Sequence, residues 1–334
     1  MHDRPYESVL DLIGETSVLH VKSLDSPGGG QVYAKLEFQN PGGSVKDRPA
    51  LHMIRAAEAA GLLRPGTTII EPTAGNTGIG LAMVGAALGY QVILVMPAGV
   101  SREKILLMEA LGADIVFTRR EERMAGAIAR ARSLAAERDD VFMPQQFENP
   151  ANPEGHYRTT GAEAWRQMDG RIDAVVVGGG SGGTFTGVAR YVKERNPQAK
   201  AILVEPEGSI FAGGLPGCHR VEGIGNSFWP EVLERSLMDA VVTIQDKESY
   251  DMVRHLARRE GLLVGGSSGA NAVAAQRVAV AMEGQGRVVT VFPDGMERYL
   301  SRGPAGDSEA LSSPILAESQ AVTVGPTGPV EQRH

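Results

Sequence analysis

A chain of 334 residues that is 42% hydrophobic, 22% charged and only 5% aromatic has ordinary globular composition. It exceeds the size at which one core usually stops growing, so two domains are expected. A net charge of −7, with basic residues scattered along the chain, argues against a nucleic-acid surface, and no apolar run reaches membrane-spanning length.

The N-terminal MHDRPYESV has no basic, apolar, small-residue signal pattern, so a cytoplasmic location is expected. Residues 32–36 read as a strand that runs into NPGGSVKDRP, residues 40–49. Pro49 suits a first helical position, and Ala50, Met53, Ile54 and Ala57 then fall on one helical face. Lys46 therefore stands where a strand-end loop hands over to a packed helix. A lysine held there and partly desolvated can lose its proton near neutral pH and form a Schiff base with an aldehyde, the chemistry pyridoxal phosphate needs. A surface lysine beside a helix start is the plainer alternative.

Short apolar strands follow at 67–72, 91–97, 114–118 and 141–144, each separated from the next by a helical stretch. The first ends in TAGNTG, residues 73–78, and runs straight into an apolar helix. Unpaired N–H groups at such a helix start, with Thr and Asn side chains beside them, suit a carboxylate; caps of an ordinary helix entry would look the same. A stretch rich in Pro, Asn and Gln at 143–153 is a plausible boundary.

A second series places strands at 173–177, 201–205, 241–244 and 287–293. Alternation of this kind implies α/β architecture: two parallel-type sheets with flanking helices and a cleft between them. GGGSGGT, residues 178–184, follows the first of these strands and opens a helix, so its backbone can approach a phosphate closely. Gly178, Gly180 and Gly183 also match GxGxxG, and Glu205 ends the next strand where a ribose-binding acid would stand, which spells a dinucleotide site. Against NAD stand the mid-chain position, the density of glycines and the unexplained lysine and TAGNTG loops. One lysine, one phosphate cup and one carboxylate pocket suit pyridoxal phosphate with an amino acid.

Cys218, the lone cysteine, excludes an internal disulfide and any CxxC site, and is expected to pack or sit idle. GIG at 223–225 and GGSSGA at 265–270 are further glycine turns that can line the cleft. The histidines are isolated and no metal site is expected. Residues 303–334 carry Gly, Pro and Ser without sustained periodicity and read as a mobile tail.

From about residue 8 to 302 the chain resembles the cysteine synthase and cystathionine β-synthase family of pyridoxal-phosphate enzymes, fold type II. It carries GGSVKDR, EPTAGNTGIGLA, MPQQFENPANP, GGGSGGTFTG, EPEGSI, VEGIG, EGLLVGGSSGA and FPDGMERYLS in the family's order. The resemblance implies that Lys46 is the Schiff-base lysine and Asn76 the partner of the ring hydroxyl. It assigns the phosphate to Gly180, Ser181, Gly182, Gly183 and Thr184. The substrate carboxylate falls to Thr73, Ala74, Gly75, Thr77 and Gln146, with Gly223 beside the substrate.

It also implies a large domain of residues 1–40 plus 144–302, a small mobile domain of 41–143, and a homodimer. Ala74 replaces a usual serine, and Gly295 stands where many members set a serine against the pyridine nitrogen; Ser268 is a candidate substitute. The implied reaction is β-replacement on serine or an O-activated serine, of the cysteine synthase type with sulfide. Cystathionine synthesis from homocysteine and diaminopropionate synthesis are the alternatives, and from another class a catalytically silent binding paralogue, to which Ala74 and Gly295 point.

Overall fold

The computed structural model describes residues 5–302 apart from 74, 283 and 285. The 303–334 segment read as a tail thus lies outside the described residues.

Two sheets organise the chain. The larger has the order β1 (Val18–His20), β2 (Gln31–Leu36), β10 (Arg287–Phe292), β7 (Ala174–Gly178), β8 (Lys200–Pro206), β9 (Ala240–Ile244). The smaller has the order β5 (Asp114–Thr118), β4 (Gln91–Pro97), β3 (Thr68–Pro72), β6 (Val141–Phe142). All pairings are parallel except that of β1, which runs antiparallel to β2 with Val18 opposite Lys35. Sequence reading missed β1, whose three residues are too few for a periodic signal, and ran β6 two residues too long. The N-terminal β2 and the C-terminal β10 are neighbours, so both ends of the chain build one sheet.

Strands covered on both faces carry apolar residues on both, and β3, β4, β7 and β10 have the continuous apolar runs 69–70, 92–96, 174–177 and 288–289 at their centres. In the larger sheet Ala174, Val176, Val204 and Val288 face α9 (Gly266–Ala281), while Val175, Val177, Leu203 and Val289 face α7 (Gly183–Arg195). In the smaller sheet Ile69 and Leu94 pack under α1 (Asp47–Ala59) and α2 (Asn76–Leu88). Ile70, Ile93 and Val95 meet Ala127 and Ala131 of α4 (Arg123–Ala136) on the other face. The face of α1 expected to be apolar is buried throughout: Ala50, Met53 and Ile54 are fully enclosed and Ala57 nearly so. Burying a side chain such as Met53 or Ile54 contributes about 2–3 kcal/mol, which anchors the helix that begins just after Lys46.

Pro49 is the third residue of α1, within the first turn where its missing N–H is not needed. Loops at the carboxyl ends of β2, β3, β4, β7, β8 and β10 converge where the two sheets meet, the usual place for a ligand in open α/β sheets.

Candidate active site

These strand-end loops enclose a cleft of about 470 Å³, within the range of small-molecule sites. Lys46, Thr73, Gly75, Asn76, Thr77, Gln146, Gly180, Ser181, Gly182, Thr184 and Gly223 all line it. Gly183 and Gly295 do not line it, and Ala74 lies outside the described residues.

Lys46 is held through its backbone. Its N–H donates to Ser44 Oγ at 3.2 Å, and its carbonyl sits where a Cβ on Gly80 of α2 would come within 2.9 Å. Gly42, just upstream, donates to Asp47 at 2.6 Å. The side chain is partly open to the cleft yet densely surrounded by protein, and among the described residues Nζ has no hydrogen-bond or ion-pair partner. Burial pulls its pKa below that of a free lysine, with Asp294 and Glu37 acting the other way. The plainer alternative, a solvated surface lysine, is thereby set aside.

The loop after β3 presents a helix start without a side-chain cap, because Gly75 occupies the N-cap of α2. The Gly75 N–H donates to Thr73 Oγ1 at 3.2 Å, and the Thr77 hydroxyl donates to Gln146 Oε1 at 2.7 Å. Gln146 is positioned by Glu71 at the end of β3. Its carboxylate accepts the N–H of Gln145 at 2.8 Å and of Gln146 at 3.0 Å, where Gln145 turns through a φ of 56°. Burial raises the Glu71 pKa to about 7, against the pull of those two N–H bonds.

The 178–184 loop forms a cup whose glycines are required by what surrounds them. A Cβ on Gly180 would lie 2.3 Å from the Gly223 carbonyl, and one on Gly183 would lie 1.9 Å from Asn152 Oδ1. Gly182 has φ +90°, a region that disfavours any side chain, and leaves α7 with no side-chain cap. Free N–H groups at the start of a helix of 13 residues suit an anion. Asn152 Nδ2 donates to Ser181 Oγ at 3.1 Å and to the Gln146 carbonyl at 2.7 Å, linking the cup to the Gln146 loop. Thr184 Oγ1 contacts His156 Nε2 at 3.1 Å, and burial holds that imidazole well below its ordinary pKa, hence neutral.

The dinucleotide reading fails at its acid. Glu205 is buried and accepts the N–H groups of Phe211 at 2.8 Å and Ala212 at 3.1 Å and the Thr243 hydroxyl at 3.0 Å, so its carboxylate is consumed by its own loop.

Behind the lysine the turn after β10 supplies residues that sequence reading left without a role. Asn76 Nδ2 donates to Asp294 Oδ2 at 2.6 Å, Tyr299 donates to the same oxygen at 2.5 Å, and Arg298 Nη1 donates to Asn76 Oδ1 at 3.1 Å. Asn76 is thus fixed at both ends of its amide. Gly295 bridges to Val264, and the three nearest atoms to a Cβ there all belong to the carboxylate end of the Glu297 side chain. Ser268 Oγ is buried with no partner among the described residues, and its neighbour Ser267 lines the cleft. Lys104, from α3 (Arg102–Ala110), pairs with Glu222 across the cleft at 2.7 Å, another contact missed. The FPDGMERYLS and VEGIG stretches that carry these residues were visible in the sequence, but nothing local shows which loops they face. Cys218, expected to pack or sit idle, is exposed.

The cleft therefore joins a desolvated amine, a glycine cup at an uncapped helix start that suits an anion, and a second capless helix start suited to a carboxylate. The family model described as pyridoxal-phosphate-dependent enzyme matches residues 9–294. An O-acetylserine dependent cystathionine beta-synthase of Bacillus subtilis is 46% identical over 294 residues, covering 88% of this chain and 96% of that protein. A cysteine synthase of Staphylococcus aureus is 45% identical over 304 residues, covering 90% and 97%. The crystal structure of an O-acetylserine dependent cystathionine beta-synthase from Helicobacter pylori superposes with a TM-score of 0.87 at 45% identity, over 90% of this chain and 99% of that one. With that match spanning nearly all of the described residues, the chain belongs to the family of pyridoxal-phosphate-dependent enzymes.

Proposed function

We propose that this enzyme catalyses β-replacement on O-acetylserine by a sulfur nucleophile. The C–O bond at the β-carbon breaks and acetate leaves, a C–S bond forms in its place, and the thiol proton departs with the acetate. Sulfide gives cysteine, and a thiol-bearing amino acid gives a thioether; the relatives above carry names of both kinds. The observation that carries this reading is the convergence of Lys46, the 178–184 cup and the 73–77 loop on one cleft.

In this reading Lys46 would hold the cofactor aldehyde. Gly180, Ser181, Gly182, Gly183 and Thr184 would hold its phosphate, and Asn76 its ring hydroxyl, with Gly295 behind the ring nitrogen. Bound pyridoxal phosphate supplies an electron-withdrawing ring that stabilises charge at the substrate Cα. Thr73, Ala74, Gly75, Thr77 and Gln146 take the substrate carboxylate, with Gly223 on the facing wall. That anchoring aligns the Cα–H with Lys46, whose neutral Nζ accepts the proton. We further infer that residues 41–143 form a small domain that closes on a larger one of 1–40 plus 144–302, excluding water. A homodimer acting in the cytoplasm completes the reading, supported by the family resemblance; light scattering tests the assembly.

Incubating the purified protein with O-acetylserine, serine or O-phosphoserine, each with sulfide and with homocysteine, and weighing the products by mass spectrometry tests the reaction. Acetate release with a new thioether or cysteine is expected. A colourless protein that binds NAD, or one that makes no replacement product from any pair, would overturn it.

Glu71 gives this site a pH dependence. As pH falls through about 7 its carboxyl gains a proton. One oxygen then becomes a donor and a poorer acceptor for its backbone N–H, so Gln146 loosens. The KM for O-acetylserine is expected to rise below neutral pH while kcat changes less. In Glu71→Gln the KM should be raised about tenfold throughout and its dependence on pH between about 6 and 8 flattened. A wild-type profile that Glu71→Gln leaves untouched would remove Glu71 from the account.

A further inference from the structure

The outer part of the cleft carries charge that chemistry at Lys46 does not need. Deep in the cleft Thr73, Thr77 and Gln146 are buried, whereas Arg120 and Arg123 line it at the exposed rim. They belong to a 3-10 turn (Arg120–Glu122) and to the first residue of α4, on the wall built by the smaller sheet.

Three neighbouring arginines on the same segment are neutralised. Arg119 pairs with Glu122 at 2.7 Å, Arg130 with Glu137 at 3.5 Å and Arg132 with Glu148 at 3.3 Å. Among the described residues Arg120 and Arg123 have no carboxylate partner, although the chain as a whole is acidic with a net charge of −7. Lys104 on the same wall is already paired with Glu222, and Glu222 is the sole carboxylate among the described residues that line the cleft. Two guanidiniums are therefore left facing the opening.

A second observation marks Arg123. Its backbone sits at φ 52°, ψ −152°, a conformation that residues with side chains rarely adopt and that persists only where surrounding structure enforces it. From there its Nη2 comes to 4.0 Å from Cys218 Sγ, the residue before His219 of the cleft lining. His219 lines the cleft beside it, while Asn226, also in the lining, donates to the Gly180 carbonyl at 2.6 Å and belongs to the glycine cup.

We propose that Arg120 and Arg123 bind the carboxylate of a second amino acid, whose thiol is the nucleophile of the reaction. This rests on the β-replacement reading and names the second substrate's class. The first substrate's carboxylate is served by the 73–77 loop and Gln146, so an anion site at the rim belongs to whatever enters afterwards. A guanidinium fork matches a planar carboxylate in two parallel hydrogen bonds, whereas a spherical hydrosulfide gains nothing from that geometry.

The test uses the holoenzyme and an Arg120→Ala/Arg123→Ala variant, with O-acetylserine as first substrate. Three nucleophiles are compared: homocysteine, 3-aminopropanethiol, which is homocysteine without its carboxylate, and sulfide. The variant's kcat/KM is expected to fall about tenfold or more further for homocysteine than for the other two. Calorimetry should show homocysteine binding to the wild type weakened by a similar factor in the variant. Equal losses with all three nucleophiles, or no loss, would overturn the assignment; so would a loss seen only when O-phosphoserine replaces O-acetylserine in a parallel series, which would give the arginines to a leaving group. A wild type that binds homocysteine through these arginines but replaces nothing on O-acetylserine supports the site and refutes the reaction. A wild type that turns over sulfide yet neither binds nor uses homocysteine refutes the site and keeps the reaction.

Discussion

Lys46→Ala is expected to lower turnover of O-acetylserine by about 10²- to 10⁴-fold, the range lost when a positioned acid or base is removed. The expectation comes from the surroundings of the amine. Burial is the largest influence on its pKa and lowers it, while Asp294 and Glu37 oppose that pull without reversing it. A lowered lysine pKa means that the neutral, proton-accepting amine persists at lower pH than in free lysine. Activity that needs it is present above the folded-state value and lost as pH falls through it. The backbone of the residue is pinned between Ser44 and Gly80, so removing the side chain leaves the loop in place. Two readouts separate chemistry from folding. Circular dichroism should be unchanged in the variant. Borohydride should fix the cofactor's mass on the wild-type peptide containing Lys46 and on no peptide of the variant. A variant turning over at the wild-type rate, or wild-type cofactor fixed on a different lysine, would end the assignment.

What could be read from the sequence here is what local chain chemistry controls. The strand-loop-helix handovers at 40–49, 73–78 and 178–184 combine an apolar run, glycines and a polar residue within about ten positions. Each lands at the carboxyl end of a strand as expected. The packed face of α1 follows from its 3.6-residue period in the same way. What could not be read depends on contacts between remote segments. Asn76 and Asp294 are 218 residues apart, and Lys104 and Glu222 are 118 apart. Glu205 illustrates the hazard in the other direction. Spacing alone makes it a ribose ligand, and only its hydrogen bonds to Phe211, Ala212 and Thr243 show a carboxylate spent on shaping a loop. Gly295 is a third kind of case. The nearest contacts do not require a glycine, since the three closest atoms all belong to the flexible end of Glu297, and the structure offers no reason for the missing side chain.

The second large effect is expected two residues beyond Lys46. Arg48 is fully buried and donates through Nε to Glu37 Oε2 at 2.7 Å, through Nη2 to Glu37 Oε1 at 2.8 Å, and through Nη1 to Glu163 Oε1 at 2.6 Å. Lys35, on β2, donates to Glu163 Oε2 at 2.7 Å and to the Thr16 carbonyl at 2.5 Å. Two cations and two carboxylates thus neutralise one another, joining the start of α1 to the larger sheet and to α6 (Ala162–Gln167). Burial alone would raise the carboxyl pKa values. Charge and hydrogen bonds from Arg48, with Lys35 contributing, outweigh it, and both Glu37 and Glu163 lie below the ordinary carboxylate value of 4.5. Their contribution to stability is therefore present above about pH 4.5 and lost as pH falls through the lower folded-state values.

Replacing a single member leaves a buried charge without its partner, which costs about 3–5 kcal/mol. For a chain of 334 residues that lowers Tm by about 4–7 °C. Arg48→Met should show that loss, because Glu37 is then left charged and enclosed. Arg48→Met/Glu37→Gln should recover a substantial part of it, because the uncompensated charge is gone, although neither substitution restores a hydrogen bond of the original network. Activity should not return in the same proportion, since Arg48 also ties the first turn of α1, and with it Lys46, to the larger sheet. Urea unfolding of the four proteins in the double-mutant cycle gives the coupling directly. Additive losses would mean that the four charges do not act as a unit. A double variant restored in both stability and turnover would mean that they do nothing to position the lysine.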